Sequence, residues 1–374
     1  MEKTAIVVVT YSRYKSLNRI LNSIEAADYT GYDDIPLIIS IDGGGDEKVA
    51  QAAEAFNWSH GKKEVIKRGE RMGLKAHILS CGDITENYEG IIMLEDDLYV
   101  SPYFYDYAVE ALEFAKDKDK IGGISLYAHK FNVFARLPFE PLNDGYSNWY
   151  FKFASSWGQA WSREQWKGFR DWLRVHDGTD ISGNGLPENV AQWGEKSWLK
   201  YAIKYLIETD KYFLYPRVSY TTNFADEGEH ASESVTDLQV PLCVGRENYN
   251  FSDPDNAKAV YDAYFENEKM GVNLDIYGIK ARDGAFGEGP LLSTAPLGKK
   301  VIQTYGLKLK PADLNVLYKS EGNDLFLYDT SIPADPPSVS KGKLYGYFYP
   351  GINQKKILSF IKYGFQHKMK GNKK

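Results

Sequence analysis

The chain has 374 residues, 43% of them hydrophobic, which is enough for a substantial core and excludes a generally disordered protein. A net charge of -6 leaves no chain-wide basic excess to displace counterions, so nucleic acid is not expected as a partner. The length fits two domains, or one α/β domain with a long extension.

The first 130 residues alternate between strand and helix patterns. Ala5-Ile6-Val7-Val8-Val9 is a β-branched run, which predicts a strand buried on both faces. Lys15 to Ala27 carries Leu17, Ile20, Leu21 and Ile24 at helical spacing and predicts an amphipathic helix. Pro36 to Ile41 reads as a second strand, stopped by Asp42-Gly43-Gly44-Gly45. Further helices are expected over Glu47–Phe56 and from Leu74 to Ile84, with a short strand at Glu64-Val65-Ile66. Ile91-Ile92-Met93-Leu94 is a buried strand ending in three carboxylates, Glu95-Asp96-Asp97. A helix over Pro102–Ala115 and a strand at Ile121–Ser125 follow. Such alternation implies a largely parallel sheet with right-handed crossovers. Beyond Ala128 the pattern becomes aromatic and loop-rich. Helices are expected from Ser162 and over Glu195–Ile207, then strands at Phe213–Pro216 and Val218–Phe224. After Ser232 the segment reads as irregular, with a linker-like Pro333–Pro337.

The acidic triplet is the strongest chemical signal. In an open α/β sheet ligands bind beyond the carboxyl ends of the strands. Adjacent acids there suit a hard divalent cation that clamps a phosphate. The competing reading is an acidic turn opening the next helix, with Ser101-Pro102 as its cap. Thr10-Tyr11-Ser12-Arg13 joins the first strand to a helix, where free amides and a guanidinium could meet a diphosphate. No G-x-G-x-x-G and no Walker lysine is present, which disfavours dinucleotide and P-loop folds. Asp42 is either a nucleotide contact or ordinary turn chemistry. The 28 tyrosines and 8 tryptophans are compatible with sugar stacking, but composition alone favours ordinary core and interface packing.

Together, Thr10-Tyr11-Ser12-Arg13, Asp42-Gly43-Gly44, Arg71-Met72-Gly73-Leu74 and Glu95-Asp96-Asp97-Leu98 look like the nucleotide-sugar domain of GT-A glycosyltransferases. Glu-Asp-Asp-Leu followed by Val100-x-Pro102-x-Phe104 is similar to the eukaryotic N-acetylglucosaminyltransferase I family. Trp157-Gly158-Gln159-Ala160-Trp161, Lys196-Ser197-Trp198, Tyr215-Pro216 and Asn223-Phe224-x-Asp226-x-Gly228-x-His230 resemble bacterial polysaccharide glycosyltransferases. The resemblance covers residues 4–235.

It implies a GT-A fold, a Rossmann-like, mostly parallel sheet flanked by helices, with a C-terminal extension. Residues 1–130 would be the nucleotide-sugar half and 131–235 the acceptor and catalytic half. Residues 236–350 would be an irregular region, and 351–374 a basic amphipathic tail. Tyr11, Arg13 and Asp42 would hold the nucleotide, with Thr10, Gly43 and Glu95 completing the donor site. Asp96 would approach the ribose or a metal-bound water, and His77 the base. Asp97 would bind Mn2+ or Mg2+ directly, and His230 would be a further metal or diphosphate ligand. The general base of the eukaryotic relatives is an Asp just ahead of a Trp; here Glu195 is the nearest carboxylate before Trp198. That departure leaves Glu188, Asp144 and Asp226 open as alternatives, and with them the inverting outcome.

The implied activity is transfer of a sugar from a nucleotide-sugar donor, expected to be UDP-linked, to a glycan or lipid-linked glycan of a cell-surface polysaccharide such as capsule or O-antigen. A sugar-phosphate nucleotidyltransferase and a non-catalytic glycan- or nucleotide-binding subunit are the alternatives. Cys81 and Cys243 match no metal or redox spacing and fit a reducing cytosol. Ala5–Val9 is too short for a signal peptide's apolar region, so a cytoplasmic protein is expected. From Ile352 onward seven lysines accompany no Asp or Glu. Mixed with Ile357, Leu358, Phe360, Ile361 and Phe365, they read either as a solvated end or as a segment resting on an anionic membrane surface at the inner face of the cell membrane.

Overall fold

The structure, a computed structural model, describes residues 3–224, 238–339, 341–351, 356–359 and 362. The chain opens with strand β1 (Thr4–Thr10), helix α1 (Tyr14–Glu25), β2 (Leu37–Ile41), α2 (Glu47–Ala55), β3 (Lys63–Lys67) and α3 (Leu74–Gly82). Next come β4 (Gly90–Glu95), the short β5 (Leu98–Val100), α4 (Phe104–Ala115) and β6 (Ile121–Ser125). A small hairpin, β7 (Phe131–Asn132) and β8 (Leu137–Pro138), precedes β9 (Asn148–Phe151) and β10 (Gln159–Ser162). Helices α5 (Arg163–His176), α6 (Glu188–Ala191) and α7 (Trp198–Glu208) lead to β11 (Tyr212–Pro216), β12 (Thr221–Asn223) and β13 (Val260–Tyr261). The C-terminal part contains β14 (Asn273–Asp275), α8 (Ile279–Asp283), β15 (Pro290–Ser293), β16 (Lys299–Tyr305), α9 (Asp313–Leu317), β17 (Leu325–Pro333) and α10 (Lys341–Phe348).

The main sheet has nine strands in the order β13-β9-β11-β6-β10-β4-β1-β2-β3 and is mostly parallel, as the strand–helix alternation predicts. Strand periodicity sorts its side chains into two cores. From β1, Ala5, Val7 and Val9 face one layer and Ile6 and Val8 the other; β4 repeats this with Ile91 and Met93 against Ile92 and Leu94. The first layer is closed by α3, α5 and α7, the second by α1, α2 and α4. The expected element positions hold to within a few residues through β6.

Two features differ from the sequence expectation. β10 inserts antiparallel between β4 and β6, so the sheet is mixed at its centre and continuous across residue 130. Residues expected to be irregular after 236 carry a second, four-stranded sheet, β14-β15-β17-β16, with its own small core of Leu274, Ile276, Leu292, Tyr305 and Leu325. Its strands are short or expose one face, as in β16, where Lys300, Ile302 and Gln303 are not covered; their apolar pattern is therefore weak. Among the described residues no helix is long and apolar enough to cross a membrane.

Candidate functional site

Parallel pairing aligns the C-terminal ends of β1, β2 and β4. Val9 lies opposite Glu95 and Thr10 opposite Ile41, so Thr10, Asp42 and the acidic triplet share one edge of the sheet. The Thr10 hydroxyl donates to Asp96 Oδ2 at 2.6 Å. Arg13, at the entry to α1, bridges two carboxylates: one guanidinium nitrogen pairs with Asp96 Oδ1 and the other donates to Asp97 Oδ2 at 3.2 Å. The Asp96 side chain is almost fully covered, whereas 17% of Asp97 and 27% of Arg13 remain accessible. Burial, reinforced by Asp97 and Asp96, pushes the Glu95 carboxyl up to about 8, with Arg13 opposing. Burial also raises Asp96, against the pull of Arg13 and Thr10. The edge thus gathers three acids around one guanidinium.

Asp42 is buried and acts on backbone. Its Oδ1 accepts from Gly43 N at 2.9 Å and Met72 N at 2.8 Å, and its Oδ2 from Gly73 N at 3.0 Å. It therefore holds the turn that opens α3. Gly43 fits because a Cβ there would lie 2.3 Å from the Glu70 carbonyl carbon. Tyr11 borders the same loop: its hydroxyl donates to the Gly44 carbonyl at 3.3 Å, and the Arg71 guanidinium stacks over its ring at 4.7 Å. His77 lies one layer deeper, 3% exposed, with Nε2 bonded to Ser40 Oγ at 2.8 Å. Burial takes its pKa down to about 4, with Asp42 opposing and Arg68 assisting, so the ring is neutral and ties α3 to β2 through Ser40.

The opposite wall is built by β12, which pairs antiparallel with β5 directly after the triplet. Phe224 N donates to the Asp97 carbonyl at 2.9 Å, and Thr221 Oγ1 to the Trp157 carbonyl at 2.6 Å. Trp157 is half-buried against Tyr127, at 4.8 Å between ring centroids. Trp161 and Trp166 are core residues, packed on each other and on Phe169. Sequence reasoning passed over three of these positions. Thr221 and Ser40 act through partners distant in sequence, and Arg19 stacks over Phe224 at 4.0 Å from a helix whose pattern showed only its apolar face.

Glu195 is exposed in the turn before α7. α7 packs on α3, and Lys75 of α3 stacks on Tyr201 at 4.1 Å while pairing with Asp177. This brings Asp177 and the first turn of α7 to the start of α3, and no hydrogen bond or ion pair joins Glu195 to the triplet among the described residues. Asp144 is committed elsewhere: it pairs with Arg217 and accepts from Lys258 N at 2.8 Å. Glu188 lies on α6, and its backbone N–H donates to Asp283 at 3.1 Å. Asp226 and His230 lie outside the described residues, as does most of the tail after 351.

Among the described residues no group of three or more His, Cys, Asp or Glu side chains could hold a metal ion. Asp96 and Asp97 nonetheless fit the way Mg2+ and Mn2+ are held beside nucleotides, by one or two carboxylates with phosphate oxygens completing the shell.

No protein-family model and no curated protein sequence matches the chain. Among solved structures, TarS of S. aureus aligns with TM-score 0.37 and 13% identity over 59% of this chain and 36% of that one. Its 1–349 portion in complex with UDP gives TM-score 0.37 and 13% identity, covering 59% of each chain. GalNAc-T7 with UDP, GalNAc and Mn2+ gives 0.38 and 15%, over 58% of this chain and 43% of that one. The chain thus covers less than two thirds of each, and likeness at this level assigns neither family nor activity.

Proposed function

We propose that the protein is a GT-A-type glycosyltransferase that takes a sugar from a nucleoside-diphosphate donor, UDP-linked, to a glycan acceptor of a cell-surface polysaccharide. The observation that carries the proposal is the Asp96–Arg13–Asp97 bridge, seated with Thr10 at the carboxyl edge of β1 and β4. A site that gathers carboxylates around a guanidinium beside a helix entry suits a diphosphate and its counter-cation. A bound Mn2+ or Mg2+, held by Asp97 with Asp96 beside it, would neutralise the charge that gathers on the departing nucleoside diphosphate.

This chain's own residues have the remaining work. Arg13 offers paired donors to phosphate oxygens, and Tyr11 with Arg71 forms a flat, cationic shelf beside the nucleotide. Asp42, His77 and Gly43 keep the Arg71-Met72-Gly73 turn in place. Trp157 offers a ring face to the acceptor sugar. An inverting transfer also requires a base for the acceptor hydroxyl, and Glu195, on the exposed turn ahead of Trp198, has the carboxylate for it. The basic tail would keep the enzyme beside lipid-linked acceptors on an anionic inner membrane face.

The test is a donor-hydrolysis screen across nucleotide sugars with Mn2+, run on the parent and on Asp97→Asn. Slow hydrolysis of one donor is expected in the parent and a loss of at least about 100-fold in the variant, with unchanged circular dichroism. Parental hydrolysis by Asp97→Asn would remove the cation role of that residue. Tight binding of UDP with Mn2+ but no turnover of any donor or acceptor would point instead to a binding subunit.

A further inference from the structure

Arg13 does more at this edge than wait for phosphate. Both oxygens of Asp96 are engaged, Oδ2 by the Thr10 hydroxyl and Oδ1 by Arg13, and Asp97 Oδ2 takes the second guanidinium nitrogen. The planar fork therefore occupies the space between the two carboxylates that a cation shared by them would need. A guanidinium and a divalent cation on the same pair of carboxylates would repel each other strongly at such short range. Arg13 stays partly accessible and enters from a loop, with no side-chain capping bond at the start of α1, so it can turn outward.

We propose that Arg13 competes with the divalent cation for Asp96 and Asp97, and yields that pair when a nucleoside diphosphate is present to receive its guanidinium. The inference rests on the donor-site function proposed above and adds a regulation to it. Cation alone binds weakly, nucleotide alone meets an Arg13 already engaged, and the two together strengthen each other. Coupling of this kind is reciprocal, so the diphosphate tightens cation binding by the same factor as the cation tightens the diphosphate. An enzyme so arranged does not assemble its metal site until the donor arrives.

The experiment measures Mn2+ binding to the full chain by paramagnetic resonance of free Mn2+, with and without UDP, after subtracting the Mn2+ that UDP alone takes up in protein-free solution. It compares the parent with Arg13→Gln, Arg13→Lys and Asp97→Asn. In the parent, UDP should strengthen Mn2+ binding at least about tenfold, the size of one charged hydrogen bond exchanged. Arg13→Gln should bind Mn2+ alone about tenfold more tightly than the parent, and the strengthening by UDP should shrink by about the same factor, to what its phosphate oxygens contribute as ligands. Arg13→Lys keeps the charge without the fork and should fall between the two. Should the glutamine variant fail to fold, the lysine variant carries the test on its own, because it too must gain affinity for Mn2+ alone. A gain of affinity is not a result that structural damage produces. Equal or weaker Mn2+ binding by the Arg13 variants, or undiminished coupling to UDP, would overturn the competition while leaving the donor site standing. If the parent binds no Mn2+ with or without UDP, or if Asp97→Asn binds it as the parent does, the metal assignment itself falls and the competition with it.

Discussion

Asp42 illustrates how one carboxylate can organise a stretch of backbone distant in sequence. Two of its three backbone acceptances, from Met72 and Gly73, fix the turn from Glu70 to Gly73, and that turn positions Arg71 over Tyr11. Removing the carboxylate leaves three amides to find water or nothing, so Asp42→Ala should cost about 2–3 kcal/mol, measured by denaturant unfolding. A variant as stable as the parent would show that those amides have other partners. The turn role of Asp42 could not be read from spacing, because the Met72 donor that reveals it sits 30 residues away. His77 was illegible for the same reason: its partner, Ser40, is a polar residue inside an apolar strand. Arg13 was legible as a cation at the end of the first strand, whereas its grip on Asp96 and Asp97 depends on β1 and β4 being neighbours.

At the level of elements, what the sequence disclosed were long, uniform runs. β1, β2 and β4 are apolar on both faces because helices cover both sides of the sheet, and such runs have few competing interpretations. β10 was hidden because four residues, Gln159 to Ser162, carry no periodicity of their own and are specified by pairing with β4 and β6. Just ahead of it, Gly158 has a φ of +94°, and a Cβ there would lie 2.7 Å from Thr221. Gly158 thereby lets the chain pass close under β12, the strand that closes the wall beside Asp97. Gly158→Ala should combine left-handed strain of about 1–2 kcal/mol with displacement of Thr221, lowering both melting temperature and donor hydrolysis. If melting is lowered and hydrolysis is untouched, β12 does not shape the donor site; if neither changes, the close approach is not maintained in solution.

The main sheet is tied to the C-terminal part by buried polar groups, which sequence patterning could not foresee in a segment with so little apolar periodicity. Asp313 at the start of α9 accepts from the Tyr261 hydroxyl of β13 at 3.0 Å, and that hydroxyl accepts in turn from Leu142 N at 2.7 Å. Burial pushes the Asp313 carboxyl up to about 6, with the Tyr261 bond opposing. Asp275, on β14, is likewise raised to about 6 by burial against its bonds to Ser293, Ala281 and Lys280. The sign follows from proton counting. As pH rises through about 4 the unfolded chain gives up the Asp313 proton while the folded chain keeps it, so the folded state holds the extra proton and loses stability until pH passes about 6. Asp313→Asn stays neutral at every pH and keeps an oxygen for Tyr261. Its stability relative to the parent should therefore rise between pH 4 and pH 7, by no more than about 3 kcal/mol. Asp275 titrates in both proteins, so the difference between them isolates Asp313. Thermal unfolding of the two at both pH values checks this, and a stability difference independent of pH would mean that the carboxyl ionises inside the fold as freely as it does in water.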